Sequence, residues 1–307
     1  MSLTKDPERL YADEFNADGV EKNKINGGTL YLVTTPIGNL ADLSDRAKKV
    51  LSGVDFVAAE DTRNSAKLLA YFGIRQPLVS YFEHNKRERG EIIANRLAAG
   101  ESCALVTDAG MPGISDPGED LVKLCAERGI PVTAVPGPCA ALCALTLSGL
   151  ATSRFAFEGF LSTNRGERGR RLDEIKSDTR TLIFYEAPHK LKTTLSDLYA
   201  AFGDRKISLC RELTKLNEEI VRVTLSRAVG LYDDREPRGE YVLIVEGASE
   251  QPKETEFAGM SVVEQVEYYI SQGMTKMEAV KACARDRGVM KNEVYKAVVG
   301  IEADKGE

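Results

Sequence analysis

CALVTDAGMPGISDPG, residues 103–118, runs from an apolar segment into a loop of three glycines, two prolines and two aspartates. Cys103–Thr107 reads as a strand, and Glu119–Arg128 beyond the loop reads as a helix. Glycine has no Cβ and proline fixes φ, so backbone in such a loop can approach a ligand closely. The same order recurs on either side. Leu30–Thr35 leads into Pro36-Ile37-Gly38-Asn39 and a helix capped at Ser44-Asp45. Val54–Ala58 leads into Glu60-Asp61-Thr62-Arg63, with a helix over Asp61–Phe72 ended by Gly73. Leu78–Phe82 precedes a helix over Arg87–Ala99. Val132–Val135 leads into Pro136-Gly137-Pro138 and an apolar helix to about Leu150. Strands alternating with helices predict an α/β fold with a mainly parallel sheet. Ligands of such sheets sit beyond the C-terminal strand ends. Four of the special loops follow strands and should open on one edge.

A second αβ unit follows, with strands at Phe155–Leu161, Thr181–Tyr185, Ile207–Arg211, Ile220–Leu225 and Tyr241–Val245, and helices at Gly169–Ser177 and Lys190–Phe202. The expected organisation is a polar, mobile tail over 1–27, an N-terminal αβ domain over 28–150 and a C-terminal αβ domain over 151–249. A polar linker and a helical module over 258–302 complete it. The module's three short helices read either as helix-turn-helix-like or as a cap packed on the second domain.

The chain has 307 residues, 43% apolar and 29% charged, which excludes whole-chain disorder, collagen and coiled coil. No apolar run approaches the roughly 18 residues that a membrane helix needs. No basic segment followed by an apolar core suggests a secretory leader. Six scattered cysteines without a CxxC pair read as reduced thiols of a cytoplasmic protein, and with only two histidines no metal site is expected. A net charge of −6 argues against a generally basic, nucleic-acid-coating surface. Two local basic clusters remain: Lys86-Arg87-Glu88-Arg89, and Arg165, Arg168, Arg170 and Arg171. Each is either a solvated face or a grip on phosphate.

The loop after Thr107 is not a nucleotide triphosphate loop. Gly113 and Gly118 have the right separation, but Glu119-Asp120 stand where lysine and serine or threonine belong. No GxGxxG occurs. An acidic cleft lined by glycine and proline suits a cationic ligand, and S-adenosylmethionine, with its sulfonium and ammonium charges, fits. Glu60 and Asp61 are candidate bases and Arg63 a candidate phosphate ligand; the plainer alternative makes Asp61 a helix N-cap. His84 and His189 are weaker candidates for acid–base work or RNA contact. Cys139 and Cys143, four apart, read as core.

Several strings recur together in order: Thr35-Pro36-Ile37-Gly38-Asn39-Leu40, Ala59-Glu60-Asp61-Thr62-Arg63, Asp108-Ala109-Gly110 with Pro112 and Asp116-Pro117-Gly118, Pro136-Gly137-Pro138-Cys139-Ala140-Ala141, Phe157-Glu158-Gly159-Phe160-Leu161, Phe184-Tyr185-Glu186, Arg211-Glu212-Leu213-Thr214-Lys215, and Gly239-Glu240 followed by Val242-Leu243-Ile244-Val245-Glu246-Gly247. Over about residues 28–248 they resemble the ribosomal RNA branch of the tetrapyrrole methylase superfamily. The resemblance implies two αβ domains with a methyl donor, S-adenosylmethionine, held between them. It also implies a homodimer and 2′-O-methylation of a cytidine in the decoding region of 16S rRNA within the small ribosomal subunit, with no metal. Carried over by motif, the donor lies against Pro36, Gly38, Asp108, Ala109, Gly110, Pro112, Pro136, Gly137, Tyr185 and Glu186. Met111 stands where threonine is usual, and Thr34-Thr35 where Pro-Thr is common. Asp61 or Glu60 is the expected base, Arg63 the RNA-positioning group, and Arg165, Arg168, Arg170 and Arg171 the RNA grip. The rivals are a tetrapyrrole methyltransferase of the same fold, which needs a wide apolar cleft, and a non-catalytic RNA-binding assembly factor, which needs no donor.

Overall fold

A computed structural model describes residues 23–249, 257 and 259–304. The chain divides after Gly247 into a large unit and a helical one. Residues 1–22 of the expected tail lie outside the described residues. Residues 23–27 do not behave as a polar tail: Ile25 packs on the first hydrophobic core, and the Asn26 amide donates to the Tyr31 hydroxyl at 2.8 Å.

The first sheet comprises β1 (Leu30–Val33), β2 (Phe56–Ala59), β3 (Leu78–Ser80), β4 (Cys103–Val106) and β5 (Val132–Val135). All its pairings are parallel, in the order β3-β2-β4-β1-β5. Strands of a parallel sheet are covered on both faces and therefore read as continuous apolar runs. β2 and β4 are buried along their whole length. Alternate residues feed two cores. Tyr31, Val33, Val57 and Ala104 face α1 (Asp45–Gly53) and α2 (Thr62–Tyr71); Leu30, Phe56, Ala58 and Leu105 face α3 (Lys86–Ala98) and α4 (Gly118–Glu127).

This arrangement fixes where a ligand can sit. From β1 the chain crosses by α1 on one face to β2; from β4 it crosses by α4 on the other face to β5. Adjacent strands whose crossovers leave on opposite faces open a crevice at their C-terminal ends.

The second sheet comprises β6 (Phe155–Phe160), β7 (Thr181–Glu186), β8 (Lys206–Arg211), β9 (Glu219–Thr224) and β10 (Tyr241–Val245), in the order β6-β7-β10-β8-β9. Only β6 and β7 are parallel; β10 runs against both β7 and β8, and β9 against β8. One face carries α6 (Arg165–Ile175), α7 (Pro188–Phe202) and α8 (Leu225–Gly230). The other packs on α5 (Ala140–Ser148) through Ala141, Ala144, Leu145, Ile183, Cys210 and Ile244. α5 follows β5, so one apolar helix ties the first sheet to the second. Helix α6 starts at Arg165, four residues before the Gly169 that composition suggests, because Asn164 caps it by accepting from the Gly166 and Glu167 amides. The two-αβ architecture expected from the sequence is the one observed.

The second unit holds α9 (Val262–Ser271), α10 (Lys276–Arg287) and α11 (Lys291–Asp304), packed around Val266, Ala279, Val280, Cys283 and Val294. Ser261 and Thr275 each form a capping box, and Gly288 ends α10 in the left-handed region. Among the described residues no helix is long and apolar enough to cross a membrane.

Candidate active site

The loops at the C-terminal edge of the first sheet are tied to one another through backbone. Thr35 and Gly110 exchange two hydrogen bonds, of 3.0 and 3.1 Å, joining the loops after β1 and β4. Asp116 accepts from the amides of Gly113 and Gly118 at 2.9 and 2.7 Å, closing the Gly/Pro loop on itself. The loop after β2 joins them by side chains: the Thr107 hydroxyl donates to Glu60 at 2.9 Å and the Asn64 amide to Asp108 at 3.1 Å. Thr34 and Met111, the two departures from the family pattern, touch: Thr34 Oγ1 lies 3.0 Å from Met111 Sδ and 2.9 Å from the Val135 carbonyl.

The second sheet closes the other wall. β7 ends, β10 begins and β8 ends at one edge, because Tyr241 pairs with both Glu186 and Arg211. Between the walls lies a cleft of about 550 Å³, lined among others by Ile37, Glu60, Asp108, Met111, Ala140, Phe160, Tyr185, Glu186, Glu212, Lys215 and Glu240.

Glu60, Asp108, Ala109, Gly110, Tyr185 and Glu186 line this cleft. Pro36 and Gly38 instead line a smaller depression of about 190 Å³ that shares Thr107 and Asp108 with it; Ile37 between them faces the cleft. Pro112, Pro136 and Gly137 line neither; His84 and His189 also stay outside. Gly38 is needed for the closure of the walls, since a Cβ there would lie 2.4 Å from Lys215 Cγ.

The two acids of the Glu60-Asp61 pair part company. Asp61 is the N-cap of α2 and grips Arg63 through its amide at 2.8 Å and its guanidinium at 3.0 and 2.7 Å. The guanidinium, with the amide, holds the Asp61 carboxyl down at about 2. Asp61 does not line the cleft and Glu60 does. Arg63 nonetheless keeps 85% of its side chain exposed.

Of the second wall, Glu186 is 5% exposed, and its carboxylate accepts from the Thr194 hydroxyl at 2.5 Å and the Ala187 amide at 2.8 Å. Tyr185 accepts from the Ala141 amide at 3.2 Å, and burial pushes its phenol up to about 12. Glu212, Lys215 and Glu240 belong to the family motifs, but sequence reasoning assigns them no role. Lys215 binds Glu212 at 2.8 Å and Glu240 at 2.9 Å. Burial opposes its charge, but the two acids hold its ammonium above the ordinary lysine range, and Lys215 holds the Glu212 carboxyl low. Glu212 and Thr214 both have positive φ, 51° and 66°. Non-glycine residues in that region store strain, of a kind that gathers at functional sites. No residue type announces it in sequence.

The basic clusters thin out. Arg168 is 12% exposed and bound to Asp197 at 2.6 Å and the Ser162 carbonyl at 3.1 Å. Arg171 is held by Glu158 and Glu174. Lys86 bridges Glu83 and Asp120, each at 2.7 Å. Of the four arginines, Arg165 and Arg170 have no ion-pair partner among the described residues, while Arg168 and Arg171 hold neighbouring elements.

Among the described cleft residues, six carboxylates (Glu60, Asp108, Asp116, Glu186, Glu212 and Glu240) stand against one cation, Lys215. Such a lining repels phosphate and attracts positive charge.

Residues 29–229 match the family model of the tetrapyrrole (corrin/porphyrin) methylases. The chain belongs to this family. It is a methyltransferase. It is 49% identical over 270 residues to a protein of Halalkalibacterium halodurans, covering 87% of this chain and 93% of that one. It is 47% identical over 277 residues to one of Bacillus subtilis, covering 89% and 95%. Both are named ribosomal RNA small subunit methyltransferase I. Among solved structures, a uroporphyrin-III C-methyltransferase of Thermus thermophilus, complexed with S-adenosylhomocysteine, shares the fold at a TM-score of 0.52 and 21% identity, over 71% of this chain and 97% of that one. A diphthine synthase does so at 0.54 and 14%, over 71% and 89%.

Proposed function

We propose that this methyltransferase uses S-adenosylmethionine to methylate the 2′-hydroxyl of a cytidine in the decoding region of small-subunit ribosomal RNA, as a cytoplasmic homodimer. The observation that carries the reading is the charge of the cleft: six carboxylates and one lysine, at the crevice where the sheet's crossovers diverge. The names of the relatives support the RNA substrate.

The residues present fit the donor. Its ammonium and sulfonium match an acidic lining, and the loop from Asp108 to Met111 borders the cleft that would hold it. When bound, the donor supplies an electrophilic methyl group whose sulfur leaves as a neutral thioether. The protein's own work is alignment and proton removal. Asp108, fixed by Asn64, and Glu186, fixed by Thr194 and Ala187, are the acids that seat positive charge. Of the Glu60-Asp61 pair, Glu60, oriented by Thr107, is the one that lines the cleft, and it takes the hydroxyl proton. Arg63, in the first turn of α2, steadies a phosphate of the bound RNA.

Methyl transfer from labelled donor to naked 16S rRNA, isolated small subunits and a porphyrin precursor tests the reading. Label in 2′-O-methylcytidine on small subunits is the expected outcome. Label on the porphyrin alone would transfer the reading to a tetrapyrrole substrate. A chain that neither binds donor nor transfers label to any of the three would sink it.

A further inference from the structure

Strand β6 breaks the two-residue alternation of side chains at the mouth of the cleft. Phe155, Ala156 and Phe157 pair with Thr181, Leu182 and Ile183 of β7, but the next pairs are Gly159 with Phe184 and Phe160 with Tyr185. Glu158 is therefore the extra residue of a bulge, and Gly159 takes φ +62° beside it. In a regular strand Phe157 and Phe160, three positions apart, would face opposite sides of the sheet. The bulge brings both to the side of Tyr185, whose ring lies 5.0 Å from Phe157 and 5.5 Å from Phe160, edge to face. Glu158 binds Arg171 of α6, and Leu161 goes into the core on that side.

The result is an aromatic ring turned into an open cleft rather than into the core beneath it. Phe160 lines the cleft and remains 58% exposed. Its support is firm, since the Tyr185 hydroxyl is tied to the Ala141 amide. Five residues further on, α6 begins at Arg165, and that residue and Arg170 are the helix's two cations without an ion-pair partner among the described residues. An exposed ring at an open cleft is a surface that takes an unstacked base. Resting on the RNA-methylation reading above, we infer that Phe160 is the platform on which the nucleobase of the target nucleotide stacks while its ribose hydroxyl enters the cleft.

The chain has no tryptophan, so Phe160→Trp introduces the sole indole. Isolated small subunits should quench that indole, and donor alone should not. Phe160→Trp and Phe160→Tyr, which keep a ring, should lose less in kcat/KM than a variant without one. Phe160→Leu, which keeps an apolar side chain without a ring, should lose roughly 10- to 100-fold in kcat/KM, chiefly through KM, with unchanged calorimetric donor affinity and melting temperature. Parental kcat/KM in Phe160→Leu overturns the proposal, as does quenching by donor alone, which assigns the ring to the donor's adenine. If the parent protein itself fails to methylate small subunits, the functional reading has failed instead.

Discussion

The two halves of the large unit build their shared cleft by different means. The first half supplies shape through backbone. Its five strands are parallel, and its loops are pinned by main-chain groups: Thr35 to Gly110, Asp116 to Gly113 and Gly118, and the Tyr81 hydroxyl to the Pro117 carbonyl at 3.0 Å. The second half supplies side chains. Its antiparallel pairings bring the ends of β7 and β8 and the start of β10 to one edge, and from there Tyr185, Glu186, Glu212 and Glu240 reach the cleft. A parallel sheet brings every βα loop to one edge, which suits a rigid cradle. Antiparallel neighbours add strand starts to strand ends, so residues from both kinds of strand terminus meet at that edge.

If the first half holds the reacting geometry, Glu60→Gln is the severest test. Removing a general base should cut turnover on small subunits by roughly 10²- to 10⁴-fold, with donor affinity close to parental. Asp61→Asn should fall far less, since Asp61 is engaged with Arg63 outside the cleft. A reversed order in single-turnover assays would move the base to Asp61.

Asp108→Ala comes next. Asp108 links the loop after β4 to α2 through Asn64 and lines the acidic cleft proposed to hold the donor. A charge-assisted hydrogen bond contributes about 1.5–3 kcal/mol, so calorimetry should record roughly 10- to 100-fold weaker donor binding. Parental affinity in a folded variant would mean that Asp108 only shapes the loop.

The unequal legibility of the halves has the same origin as their difference. The first half's loops are written in glycine, proline and capping acids, and those residue types carry their backbone meaning with them, so Asp108–Gly110 could be read directly. The strand order could not, because it depends on which face each crossover takes; Asp61 as the helix N-cap was one of two readings that the sequence left open. In the second half the devices are a bulge at Glu158, positive φ at Glu212 and Thr214, and a lysine held between two acids from separate loops. None follows from composition. The arginine cluster was visible, but Arg168 is tied up by Asp197 of α7, and Arg171 by Glu158 of β6 together with Glu174 of its own helix.

That cluster offers a sharper division within the second half. The pair Arg165→Ala/Arg170→Ala should weaken RNA binding and reduce its slope against log salt by about 0.7–0.9 for each phosphate no longer neutralised, while leaving stability alone. Arg168→Ala should instead lower stability, by about 1.5–3 kcal/mol in denaturant unfolding, because it leaves Asp197 and the Ser162 carbonyl without their donor. If Arg168→Ala shifted only the RNA salt slope, α6 would be a grip along its whole length.

The smallest expected effect separates Asp61 from the chemistry by pH. Its carboxyl is held at about 2, against an ordinary 3.8, first by the Arg63 guanidinium and then by the Arg63 amide. A depressed carboxylate contributes stability that is present above its unfolded pKa and lost as pH falls through the folded one. For Asp61 that window lies between about pH 4 and pH 2. Between about pH 5 and 9 it stays charged in both states, so Asp61→Asn should leave the dependence of melting temperature on pH unaltered there and flatten it only below about pH 4. A carboxylate already charged across that range changes no rate by titrating near neutrality, so Asp61→Asn should turn over small subunits with the parental pH profile between about pH 5 and 9. A profile that changes shape there in Asp61→Asn would show that bound RNA draws Arg63 away from Asp61 and frees the carboxylate to act.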